Sequence, residues 1–175
     1  MADPRLAAAL AISPATGAAE VVGAAALALE ADEVPWPSRL QGMMAVLWRS
    51  LPEPLSQSLY VPAPAGIRLV LAAHQGAPAP LAADWHQGLV GTAAGDRVVQ
   101  IVPVLRMFHG HGLANPAAES ALAVPVTRRS VRAVLCLTAL QRDAFSPVEV
   151  ELVQAVAEAA AERWPDAGEP GGAGG

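Results

Sequence analysis

A chain of 175 residues sets a prior of one domain with appendages. Hydrophobic residues make up 53% but aromatics only 4%, so the core must be assembled from small and branched aliphatic side chains. The formal net charge is −5 and every basic residue is arginine, with only Arg128, Arg129 and Arg132 clustered, which excludes the basic stripe that tracks a nucleic-acid backbone.

Residues 1–34 are Ala-rich and hold two helical candidates, Leu6–Ile12 and Ala18–Ala31, separated by the turn formers Ser13-Pro14-Ala15-Thr16-Gly17. The apolar run Val21 to Leu29 is far shorter than the ~20 residues that span a bilayer, so no membrane segment is expected. Pro35-Trp36-Pro37 closes this region, because a residue preceding proline is pushed out of the helical basin. Ser38 is then positioned to cap a helix to about Leu51, in which Leu40, Met43, Met44, Leu47 and Leu51 form one apolar face. Pro52 and Pro54 stop it.

A strand over Gln57–Val61, a turn over Pro62–Gly66 and a strand over Gly66–Ala73 follow. Residues 81–94 read as one or two short helices interrupted by Gly88 and Gly91. Gly95-Asp96 turns into a strand at Arg97–Val102, and Pro103–Ser120 reads as a long loop with at most one helical turn. Leu122, Val124 and Val126 alternate, Arg128-Arg129-Ser130 makes a polar turn, and Val131, Ala133, Leu135 and Leu137 alternate again, the pattern of a hairpin. Ser146-Pro147-Val148-Glu149 carries the residues of a capping box and opens a helix to about Arg163. Asp166–Gly175 is a Gly-rich tail expected to be disordered.

Three stretches give this order of elements a resemblance to the GAF domain family. They are Ser58–Val61 with Ile67–Gly76, then Gly88-Leu89-Val90-Gly91-Thr92-Ala93-Ala94-Gly95, then Ser120–Val126 with Val134-Leu135 and Phe145-Ser146-Pro147. The hairpin departs from the family pattern, because Arg128-Arg129-Ser130 and Arg132-Ala133 stand where glycines are usual. The resemblance implies an α+β, GAF/PAS-like fold over residues 36–165. A central antiparallel β-sheet would carry N- and C-terminal helices on one face, with helices and loops enclosing a pocket on the other. Residues 1–35 would then be a helical N-terminal extension.

The resemblance also implies a regulatory, non-catalytic protein that senses an unidentified small molecule, with a ligand-free dimerisation or scaffolding module as the alternative. Cofactor and ligand are left open by the sequence, since fold analogy does not fix function. Trp85, Met107 and Phe108 are candidates for an apolar ligand wall, with His86 or Asn115 as a polar handle; plugging the interior is the competing reading. His109 and His111 join them as ligand candidates, and either a metal or a haem iron would need more ligands than the neighbouring sequence offers, so no metal site is assigned. Bilin attachment would require a cysteine in the loop His109–Asn115, which has none.

The family includes a branch that reduces free methionine sulfoxide through several pocket cysteines. By motif, Val90 and about Ala114 stand where that branch has thiols, and Ala121 where it has an acid. A single cysteine, Cys136, cannot supply both attacking and resolving thiols, so the activity is expected to be absent. One cysteine also fits a reducing, cytoplasmic location. The apolar surplus on helices 38–51 and 147–164 leads to the expectation of a homodimer through them.

Overall fold

The computed structural model describes residues 3–5, 17–108 and 115–166. The helix expected at Leu6–Ile12, the histidines at 109 and 111, and tail residues 167–175 lie outside these. In chain order the elements are α1 (Ala18–Leu29), α2 (Trp36–Ser50), β1 (Pro54–Pro62), β2 (Arg68–Gly76), β3 (Ala82–Asp84), α3 (Gly88–Asp96), β4 (Gln100–Val102), a 3-10 turn (Leu105–Met107), β5 (Ser120–Thr127), β6 (Val131–Ala139) and α4 (Pro147–Arg163). All strand pairs are antiparallel and the six strands run β3-β2-β1-β6-β5-β4, placing β1 and β6 at the centre. This is the expected α+β architecture.

Period-two alternation sends the two faces of the sheet into separate cores. On one face Leu59, Leu122, Val124, Leu135 and Leu137 are buried beneath α1, α2 and α4. On the other, Tyr60, Leu69, Ala123, Val134 and Cys136 meet Leu89, Val90 and Ala93 of α3 and Leu105 of the 3-10 turn. The helical layer includes α1, whose Val21, Ala24, Ala25, Ala28 and Leu29 share the core of α2 and α4. α1 of the same chain thus packs against the apolar faces of α2 and α4, the helices through which a homodimer is expected, while Val148 of α4 stays exposed. Arg39 clamps the α1–α2 connection, donating from Nε to the Val34 carbonyl at 2.7 Å and pairing with Asp32 at 3.0 Å. Arg163 at the end of α4 pairs with Glu30 at 2.6 Å, and the rings of Trp36 and Trp164 meet edge to face at 5.2 Å.

Several boundaries differ from the sequence expectation. α2 begins at Trp36 rather than Ser38, because a proline in the first turn gives up an N–H that has no helical acceptor, so Pro37 starts the helix instead of breaking it. Residues 82–84, expected to be helical, form the edge strand β3 against β2. Gly91 does not interrupt α3 but lets it pass close over the end of β3, where a Cβ would lie 1.8 Å from the Asp84 carbonyl oxygen. β4 is shorter than expected, since Arg97 ends α3 in a left-handed conformation (φ 56°) and residues 97–99 run unpaired before Gln100. The capping box of α4 is formed: the Ser146 N–H donates to Glu149 Oε2 at 2.9 Å, and the Ser146 side chain meets the first turn.

A polar recess on the central strands

On the α3 face of the sheet, β1 presents Ser56, Ser58 and Tyr60 at alternate positions. Register sets Ser56 opposite Thr138 of β6, and Ser58 between Cys136 of β6 and His74 of β2. This puts a polar row across the three innermost strands. The Ser56 and Thr138 hydroxyls lie 2.5 Å apart, and both residues are buried. Ser58 Oγ is 3.3 Å from His74 Nδ1, and His74 Nε2 is 3.2 Å from the Gly76 carbonyl oxygen. A carbonyl only accepts, so in the neutral ring the proton sits on Nε2 and the Ser58 hydroxyl donates to Nδ1. Tyr60 reaches further, its hydroxyl donating to the Pro80 carbonyl at 2.9 Å and tying the sheet to the segment after β2.

Ser56, Ser58, Tyr60, Cys136 and Thr138 floor a recess that Pro78, Ala79 and Pro80 wall and Asn115 borders. Its free volume is about 10 Å³, room for one water. No charged side chain lines it. Burial governs its ionisable groups. Desolvation pushes the Cys136 thiol up to about 12, and burial, with Cys136 adding to it, raises the Tyr60 phenol well above its ordinary value. Both are neutral at physiological pH, so the recess offers hydroxyls and a protonated thiol, not a thiolate nucleophile.

Of the residues expected to bind ligand, Asn115 borders this recess; its Oδ1 accepts the Ala117 N–H at 2.9 Å, leaving its NH₂ as a donor. Trp85 and Phe108 are half-buried against the α3-side core, and the Trp85 indole N–H is buried with no partner among the described residues. Met107 is 75% exposed. His86 is exposed in the turn before α3, its ring against Gly95 and its Nδ1 3.9 Å from Asp96. The described residues contain no group of three or more His, Cys, Asp or Glu side chains able to hold a metal ion. Sequence reasoning missed Ser56, Ser58 and Thr138. The available signal was Ser-x-Ser-x-Tyr, a polar period-two run in a strand otherwise flanked by apolar hairpin partners.

A family model described as the GAF domain matches the sequence over residues 38–162. The chain belongs to the GAF domain family. Among solved structures, a GAF domain aligns with a TM-score of 0.78 at 21% identity, covering 90% of this chain and 95% of its own. The reduced form of the free methionine-R-sulfoxide reductase of Staphylococcus aureus aligns with a TM-score of 0.76 at 26% identity, covering 85% and 95%. The GAF domain of a phosphoenolpyruvate-protein phosphotransferase from Coxiella burnetii aligns with a TM-score of 0.73 at 16% identity, covering 83% and 91%. No curated protein matches the sequence. The GAF fold thus joins this chain to neighbours that include both an enzyme and a domain of a phosphotransferase. No helix among the described residues is long and apolar enough to cross a membrane.

Proposed function

We propose that this GAF protein is a cytoplasmic, non-catalytic sensor whose small-molecule ligand enters the recess over Ser56, Ser58 and Thr138. The observation that carries the reading is the polar row itself. Packing alone does not call for hydroxyls at these positions, where each must be given a partner (Thr138 for Ser56, His74 for Ser58) to avoid a stability cost. A few convergent polar groups on an apolar floor are what fixes the orientation of a bound small molecule. With no charged side chain in the lining, the ligand would be uncharged where it meets the sheet. Entry requires Pro78–Pro80 to move away from the sheet, so binding would shift the population of that arrangement.

The reductase chemistry of the Staphylococcus aureus neighbour does not suit this chain. It has one cysteine, and that thiol is buried and protonated. Purified protein should show no turnover of methionine-R-sulfoxide, with Cys136→Ser as control; turnover that depends on Cys136 would overturn the non-catalytic reading. The small free volume favours a second reading, a module whose pocket is filled by its own side chains. Thermal unfolding against a panel of uncharged metabolites separates the two. A ligand at a hundredfold its dissociation constant adds about 2.7 kcal/mol. A compound whose stabilisation is lost in Thr138→Val supports the sensor, whereas no shift from any compound supports the filled module.

A further inference from the structure

The opposite side of the molecule holds a larger opening. Residues 97–99 peel away from the sheet after the left-handed turn at Arg97, and between them, the end of β5 and α4 lies an open groove of about 430 Å³. Its polar lining consists of Arg97, Thr127, Gln154 and Glu158, with Val99 and Pro125 among the apolar contacts. None of these four polar side chains has a hydrogen-bond or ion-pair partner among the described residues. The Thr127 hydroxyl oxygen is fully buried and unsatisfied. Arg97 and Glu158 share the groove as opposite charges that do not pair with each other, although eight arginine–carboxylate pairs are formed elsewhere among the described residues.

We infer that this groove is a second ligand site, and that it takes a free α-amino acid in its zwitterionic form. The charge pattern selects that class. Glu158 repels a simple anion, Arg97 repels a simple cation, and a neutral occupant would partly desolvate both without compensation. A zwitterion answers both, its carboxylate meeting the Arg97 guanidinium in a two-toothed geometry and its ammonium meeting Glu158. Gln154 then supplies a neutral contact, and Val99 with Pro125 the apolar surface for the amino-acid side chain. The volume lies within the ~300–1,000 Å³ usual for small-molecule sites. This site is separate from the recess of the proposed sensing function, since the two lie on opposite faces of the sheet and share no lining residue.

The test is a titration of isotopically labelled full chain, followed by amide NMR, with each standard L-amino acid in turn. At least one should saturate, with shifts centred on Arg97, Val99, Thr127 and Gln154. Its N-acetyl and its amide derivatives should each bind about tenfold more weakly or worse, the effect of losing one charge-assisted contact. Arg97→Gln should weaken the parent amino acid by a similar factor and Glu158→Gln likewise. Thr127→Val is the structural control: removing a buried, unsatisfied hydroxyl should leave the midpoint of thermal unfolding unchanged or raised and leave binding unchanged. Absence of saturation by every amino acid, equal binding of the blocked derivatives, or shifts confined to Ser58, Asn115 and Cys136 would overturn the assignment.

Discussion

Ser56 Oγ and Thr138 Oγ1 face each other at 2.5 Å across the two central strands, although 82 residues separate them in the chain. Each hydroxyl satisfies the other at the floor of a recess with room for one water at most. Removing one therefore strands its partner, whereas removing both leaves an apolar pair of similar shape. Thr138→Val and Ser56→Ala should each destabilise by about 1–2 kcal/mol. The double variant should lose less than the sum, with a coupling of about 0.5–1.5 kcal/mol. Urea unfolding of the four proteins measures this, and strict additivity would show that the hydroxyls act independently.

Two glycines in helices should respond oppositely to alanine. At Gly91 a Cβ would meet the Asp84 carbonyl oxygen at 1.8 Å, a backbone atom that can move only with β3 and α3 together. Gly91→Ala should destabilise by about 2–4 kcal/mol. Gly23 of α1 has nothing within 4 Å of its added Cβ, so Gly23→Ala should gain about 0.5–1 kcal/mol through reduced backbone entropy. Thermal unfolding of both variants checks the contrast.

This contrast explains which parts of the fold were legible from sequence. The hairpin Ser120–Ala139 and the start of α4 were, because alternation and the Ser-Pro-Val-Glu cap are local signals that tertiary packing reinforces. Gly91 reads locally as an interruption of helix, because its reason is a close approach between α3 and β3 and no local rule contains that distance. The covering of α2 and α4 by α1 was hidden in the same way: alanines fit any helix, and only the assembled layer shows that Ala25 and Ala28 are fully buried. For the recess, Asn115 was legible as a loop polar residue, but Ser56, Ser58 and Thr138 were not. The period-two run Ser-x-Ser-x-Tyr marks one polar face of β1, but which residues stand opposite it is supplied only by register.

The burial of α1 against α2 and α4 gives a prediction about association. Deleting residues 1–33 exposes the faces that Val21, Ala25 and Leu29 cover, and the exposed apolar surface should drive self-association through α2 and α4. Sedimentation equilibrium should give the truncated chain a larger mass, relative to its monomer, than the full chain. Equal association states for the two would mean that α1 shields nothing of consequence.

Stability should fall at alkaline pH in a way that depends on Cys136. Its folded pKa of about 12 exceeds the ordinary thiol value of 9.0, so between these values the folded state holds a proton that the unfolded state has released. The stabilising contribution is complete below about pH 9 and is lost as pH rises toward 12. Tyr60, also raised by burial, adds to the decline from about pH 10 upward. Cys136→Ala should flatten the Cys136 share of that fall, seen in urea unfolding repeated from pH 8 to 11 on both proteins. Identical pH profiles would contradict the assignment of a buried, protonated thiol.

The central claim is that the polar row beneath Pro78–Pro80 receives a small uncharged ligand. The most direct measurement is amide NMR of labelled full chain titrated with a stabilising metabolite from the thermal panel. The account predicts saturable shifts at Ser58, Tyr60, Cys136, Thr138 and Asn115, all abolished by Thr138→Val in a protein that stays folded. Saturable binding whose shifts leave these five residues unmoved would contradict it, as would a panel in which no compound stabilises the chain.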